Sequence, residues 1–383
     1  MTNRAELNHA TTPLERGQGV VDGAVGQLTA DLLDARDLTS ELCQQWGVFR
    51  DSSLAYESPF FSPRYSQVVG QVRPKSKIAI LHSGGKIVGF LPFEFAHRKM
   101  IEPIGKAFND AHGVICNASD SFTYCDALNS IGVKSYRFHA LAGPCGGSEP
   151  YVMGQSPSFL ANLEAHPEGY VQFLEASRAT ITKQRRKTKK MSKDLGPVRL
   201  ELDCRDERAF ERLIQLKREQ YHRTFIYDIL GVPWAKEMLR TLWTENENSC
   251  RGLLSVLYAG DTMIAAHYGM LEGSLLHYWF PVYDPQYHLY SPGTAMFLEI
   301  ANLAPSLGIK KIDLGYGDQP YKHKFVDTIT EMPYGCVTSC PLTYFKERSR
   351  RTIAARVKQI PGKPLLKRVL RGIWPSFGSG HFN

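Results

Sequence analysis

Two stretches of the chain place apolar runs around a glycine turn in the same order. KIAILHSGGKIVGFLPFEF (77–95) and GLLSVLYAGDTMIAAHYGML (252–271) each read as an apolar strand, a Gly-containing turn with a polar neighbour, and a second apolar strand. The second hairpin continues through a turn at Glu272-Gly273 into an apolar strand from Leu275 to Val282. A tyrosine-rich loop closing on Ser291-Pro292-Gly293 follows, then a helix from Thr294 to Ser306, a stop at Gly308 and a strand from Ile309 to Leu314. Strands, then a helix, then a strand describe a mixed α/β layer, and the repeated hairpin predicts two such layers side by side.

Helical periodicity supplies the rest of the frame. Phe210, Leu213, Ile214 and Leu216 form a core-facing stripe in a helix from Glu207 to Thr224. Between the two layers, Tyr170 to Asp194 reads as one helical arm, unbroken by glycine or proline until Gly196-Pro197. Its later part carries seven basic residues from Lys183 to Lys193: either a solvated face, or a surface for phosphate on coenzyme A or on an RNA backbone. The division expected is a polar, aperiodic arm over 1–26, a first lobe over 27–165, a second over 166–345, and a tail over 346–383.

Charge changes the picture only at that tail. The chain carries a net charge of +8, yet from Pro341 onward ten Lys or Arg face a single carboxylate, Glu347, so the body is close to neutral. An anionic membrane surface, an acidic carrier protein or nucleic acid suits such a tail. Its second half, split off by Pro361-Gly362 and Pro364, spaces Leu365, Leu366, Val369, Leu370 and Ile373 as one face of an amphipathic helix ending at Trp374; a helix folded back on the body is the alternative. The N-terminus lacks an apolar core behind its charges, and no run approaches the ~18 apolar residues of a membrane span. A cytoplasmic protein, with peripheral contact at the inner face of the membrane as an option, is the expectation. The eight cysteines show no paired CxxC spacing, so reduced thiols and no metal are expected.

Candidate chemistry gathers in the last third. A Ser-Pro-Gly turn at a helix start leaves backbone N–H groups, here of Gly293, Thr294 and Ala295, at the positive end of the dipole, which suits a pyrophosphate. Trp279, Tyr283, Tyr287 and Tyr290 before it could wall a pantetheine arm or a sugar ring, or simply pack. After the following strand, DLGYGDQPYK (313–322) brings glycines that admit close backbone approach. Asp318 there could orient an acceptor amine or take its proton, and Lys322 could bind phosphate or a developing oxyanion. A turn capped by Asp313 and a surface charge at Lys322 are the structural alternatives. Walker A, dinucleotide, HExxH and G-x-S-x-G motifs are absent.

YDPQYHLYSPGTAM followed by DLGYGDQPYKHKF resembles the cofactor-binding half of the GNAT acyltransferase superfamily, and more narrowly the CelD/BcsL-type acetyltransferase-like family, relatives of the FemABX peptidyltransferases. The resemblance spans roughly Trp46 to Tyr344. It implies an α/β fold of two tandem GNAT-like lobes, acyl-CoA as donor bound by Tyr287, Tyr290, Ser291, Pro292, Gly293, Thr294 and Ala295, and Tyr283-Asp284 ahead of that loop. It also implies Tyr321-Lys322 near the donor's reacting end. In the first lobe it places Asp110 and His112 on the acceptor side, as carboxylate and proton carrier; a turn-forming Asp is the alternative. The activity implied is N-acylation, most simply N-acetylation, of an amine on a sugar, sugar nucleotide or cell-envelope polysaccharide precursor. Two rivals stay open: a Fem-like transferase using aminoacyl-tRNA, and a non-catalytic GNAT-like scaffold on membrane or nucleic acid.

Overall fold

The computed structural model describes residues 27–97, 99–245 and 250–358, the last five without side chains. The first part runs β1 (Thr29–Asp34), α1 (Ser40–Asp51), α2 (Pro63–Val72), β2 (Lys77–Ser83), β3 (Lys86–His97), β4 (Met100–Pro103) and a short β5 (Ile115–Cys116). It closes with α3 (Tyr124–Ser130), β6 (Ser135–Phe138) and the long β7 (Val152–Asn162). Helices α4 (Tyr170–Ser177) and α5 (Ala179–Leu195) lead into β8 (Val198–Glu201), α6 (Glu207–Arg223), α7 (Pro233–Thr244), β9 (Arg251–Ala259), β10 (Thr262–Glu272) and β11 (Leu275–Tyr283). Then come α8 (Pro292–Leu303), β12 (Lys311–Tyr316), the long β13 (Thr328–Thr338) and α9 (Pro341–Lys358).

The order is a repeat: strand, two helices, a three-stranded meander, a helix, a strand, and a long strand. The two similar hairpins are β2-β3 and β9-β10, occupying the same place in each copy. In both copies the helix crosses between parallel strands, α3 from β4 to β6 and α8 from β11 to β12. The copies join into one sheet of order β1-β2-β3-β4-β6-β13-β7-β12-β11-β10-β9-β8 by exchanging their last strands. β7 pairs with β12 of the second copy, β13 with β6 of the first, and the two exchanged strands pair antiparallel with each other. A boundary at 165/166 therefore divides the chain but not the sheet.

The arm over 170–194 is two helices, broken at Arg178, which takes an extended conformation (φ −135°, ψ 100°) and donates to Val326 O at 3.4 Å. The break has a packing reason: both pieces lie against α8, which is thereby covered by them on one side and by β10 and β11 on the other. That explains why α8 is apolar nearly all round. The tail begins as α9, docked on the body: Glu347 receives Arg137 (2.7 and 3.1 Å), and Arg351 donates to Phe138 O at 3.1 Å. Its second half, with the apolar face from Leu365 to Ile373, and the arm over 1–26 lie outside the described residues. Among those described, no helix is long and apolar enough to cross a membrane.

Candidate active site

The start of α8 is held open as a cationic groove. Ser291 precedes it in the left-handed region (φ 51°, ψ 56°), which turns its carbonyl onto the N–H groups of Thr294 (3.0 Å) and Ala295 (3.2 Å). Two of the three amides expected to face a pyrophosphate are thus engaged within the turn. Positive charge reaches the same spot by another route: Lys187 on α5 donates to Ser291 Oγ at 2.7 Å, and Lys324 donates to Thr294 Oγ1 at 3.0 Å. Burial and the nearby Lys187 both pull the Lys324 ammonium below its usual range. Two lysines crowded at a helix start without a side-chain cap give it the charge that an anion would suit. In the first copy the matching helix start, on α3, is closed by a reciprocal capping box in which Asp126 accepts from Thr123 N at 2.8 Å. A carboxylate already stands where an anion would go, so the repeat is chemically asymmetric.

From Ser291 the groove, about 370 Å³, runs past Pro292, Gly293, Thr294, Tyr283 and Lys324. It passes into a second cleft of about 460 Å³, and Lys217, Gln220, Tyr278, Pro281 and Tyr321 line both. Asp110, Trp279, Asp318 and Lys322 line this second cleft. Strand β12, the loop behind it and the turn after β4 converge here, which brings Asp110 of the first copy to the motif of the second.

Behind Asp110 lies a buried relay. His277 on β11, 1% exposed, places Nδ1 3.0 Å from Asp313 Oδ2 and Nε2 3.6 Å from Asp110 Oδ2. Asp313 also accepts the Gly315 N–H at 2.8 Å. Burial pushes the Asp313 carboxyl up, but His277 and that amide outweigh it and hold the group below the usual carboxylate range. Asp110 behaves oppositely: burial raises its pKa, with His277 and Lys322 only partly opposing. Gly315 (φ 76°) makes this meeting possible, since a Cβ there would stand 2.6 Å from Asp110 Oδ2 and 2.8 Å from His277 Cε1.

Lys322 is buried, and its ammonium donates to the carbonyls of Gly315, Tyr316 and Gly317 at 3.0 to 3.1 Å. Its three donors are spent on the loop that carries the motif, so it reaches the cleft as charge. Burial lowers its pKa to about 8. Asp318, largely exposed, pairs with His323 at 2.6 Å.

Other predicted residues lie outside the cleft and groove. His112, buried, accepts the His139 backbone N–H on Nε2 at 3.2 Å, and the two rings meet at a tilt of 60° with centroids 4.4 Å apart. Asp284 binds Arg212 at 2.9 Å and caps the turn after β11. Tyr290 donates to Asp194 at 2.9 Å, tying its loop to α5, and Tyr287 packs at the edge of the same core. Ala295 is buried within α8.

Three lining or supporting residues, His277, Asp313 and Lys217, escaped the sequence reading as parts of the site. Lys217 is the most legible, because it sits four residues after Leu213 on the apolar stripe of α6, where a lysine is out of place. It donates to Pro281 O at 2.9 Å, and burial brings its pKa down to about 7. An ammonium held that near neutrality stands at the junction of groove and cleft.

The family description of an acetyltransferase (GNAT) domain matches residues 176–323. No curated protein sequence matches the chain. Among solved structures, the fold is similar to a conserved protein of unknown function from Bacteroides thetaiotaomicron VPI-5482, at TM-score 0.51 and 10% identity over 81% of this chain and all of that one. L-PGS from Bacillus licheniformis (TM-score 0.49, 11% identity, 80% and 96% covered) and FemX (0.48, 10%, 71% and 90%) also match. With that match running from the end of α4 to His323, residues 176–323 are similar to acetyltransferase (GNAT) domains, and the protein is an acyltransferase with a mixed α/β fold of two GNAT-like lobes.

Proposed function

We propose that the protein transfers an acyl group from acyl-coenzyme A to the amine of a sugar or sugar nucleotide, consistent with its resemblance to CelD/BcsL-type proteins. The observation that carries this reading is the continuity of a cationic groove at α8 with a carboxylate-bearing cleft, through shared walls at Lys217, Tyr278 and Tyr321. The groove takes the pyrophosphate beside Lys187 and Lys324, and the cleft takes the amine beside Asp110. Asp110, its carboxylate backed by His277, removes a proton as the amine attacks the thioester carbonyl. A C–N bond forms, the C–S bond breaks, and the Tyr321 hydroxyl at the junction, a phenol protonated at neutral pH, supplies the proton for the departing thiolate.

Acetyl-CoA at about 100 times its dissociation constant should stabilise the protein by about 2.7 kcal/mol, read as a rise in melting temperature. Gly293→Val tests the groove itself. A Cβ at Gly293 meets only Tyr283 Cδ1, at 3.7 Å, so the variant should fold while its methyls obstruct the groove. A folded Gly293→Val protein that binds acetyl-CoA like the wild type removes the donor site.

A second reading draws on α5, where Lys183, Lys189, Lys190 and Lys193 project with exposed side chains beside the groove. They suit the backbone of a charged tRNA as donor carrier. Tight, steeply salt-dependent tRNA binding with no acetyl-CoA stabilisation would favour it.

A further inference from the structure

A third chamber, about 470 Å³, opens beside the acceptor cleft and shares Ala107, Tyr227 and Ile229 with it. One wall is apolar, built on Phe108, Val232 and Trp234; the other is charged. Four cations and one carboxylate, Glu102, line it, and a second carboxylate, Glu347, is buried behind Arg137 and Arg350. Glu347 is taken by the fork of Arg137, and Glu102 by Lys106 at 2.7 Å, with Arg137 Nη1 at 3.5 Å. Arg350 and Arg351 on α9 are left over. Arg350 Nε stands 3.6 Å from a Glu347 already occupied, and Arg351 spends one N–H on Phe138 O while its guanidinium lies 4.7 Å from the Tyr334 ring centre. The Nε atoms of both are buried and lack a hydrogen-bond partner among the described residues. The two histidines facing the chamber, His97 and His139, add no negative charge, and burial brings the His139 pKa down to about 3.

Burial also pulls both guanidiniums below their usual range, as expected for charge short of a counter-ion. Arginine does not shed its proton in proteins, so the deficit calls for an anion with several acceptor oxygens. The excess of two positive charges matches a phosphate monoester dianion or the two charges of a pyrophosphate link.

We propose that this chamber binds the phosphate of the acyl acceptor through Arg350 and Arg351, so that the amine presented to Asp110 belongs to a phosphorylated amino sugar. The proposal rests on the acyl-transfer reading for the identity of the reacting amine, while the anion site stands on its own geometry. A sugar phosphate and a nucleotide-linked sugar share the chemistry, and the chamber adjoins the amine site at Ala107, Tyr227 and Ile229, which line both.

The test uses the full chain, with acetyl-CoA present in one arm and omitted in the other. Phenylglyoxal modification of arginines is followed by mass spectrometry with and without inorganic pyrophosphate, glucosamine 6-phosphate, UDP-glucosamine or glucosamine. Pyrophosphate and at least one phosphorylated sugar should slow modification at Arg350 and Arg351 about tenfold, leaving exposed Arg199 unchanged; which sugar protects better tells monoester from nucleotide. Arg351→Gln should weaken binding of the protecting compound at least tenfold. If that variant fails to fold, Lys106→Gln, at the rim, should still weaken it measurably. Equal modification with and without pyrophosphate, or two arginines that never react because the chamber is closed, overturns the proposal. The acetyl-CoA arm separates the readings: anion protection without acetyl-CoA binding would keep the chamber and reject the donor.

Discussion

Asp110→Asn is expected to lower turnover by about a hundredfold to ten-thousandfold, the range for loss of a general base, while raising the melting temperature at neutral pH. The second effect follows from the raised pKa of the partly buried carboxyl. A group whose folded pKa lies above its unfolded value contributes stability below the unfolded pKa and loses it as pH rises through the folded one. At neutral pH the ionised Asp110 therefore costs stability, and asparagine removes that cost. Wild-type activity should fall on acidification at a higher pH than an ordinary carboxylate would impose, and that limb should vanish in the variant's residual rate. A variant with wild-type turnover would move the base elsewhere, with Lys217, near neutrality at the same junction, as the next residue to replace.

Lys322→Met should destabilise the fold by about 3–5 kcal/mol, the cost of removing one partner from a buried charged network, and abolish transfer with it. Three carbonyls, of Gly315, Tyr316 and Gly317, would lose their donor together. The cation that favours ionised Asp110 and Asp313 would also be gone. Denaturant unfolding beside a rate assay decides the matter. Unchanged stability with a lost rate would mean that Lys322 acts directly on the acyl oxygen, as the sequence alone allowed.

Local patterns were readable where a short-range cause acts. The hairpins rest on Gly-containing turns, Gly308 (φ 72°) stops the helix after α8, and α6 buries Phe210, Leu213, Ile214 and Leu216 as its stripe predicted. The two motifs come to neighbouring hollows: Ser291, Pro292, Gly293 and Thr294 line one groove, and Asp318, Tyr321 and Lys322 line the cleft beside it. The break at Arg178 was not readable, because it answers to Val326 and to α8, far along the chain. His277 was missed for the same reason. A lone histidine in an apolar strand acquires meaning only from Asp313 and Asp110, brought to it from β12 and from the other copy.

By itself the sequence determined a repeated α/β chain with a Ser-Pro-Gly helix start in its second copy, since turns, amphipathic periods and helix ends are set by residues a few positions apart. Tertiary structure decided the rest. Exchange of β7 and β13 makes two layers one sheet, and with it Asp110 reaches His277 and Arg137 and Arg351 come to share a chamber. Such contacts join residues more than a hundred positions apart, where neither periodicity nor spacing carries information, and only the pairing of the strands sets the distance between the charges.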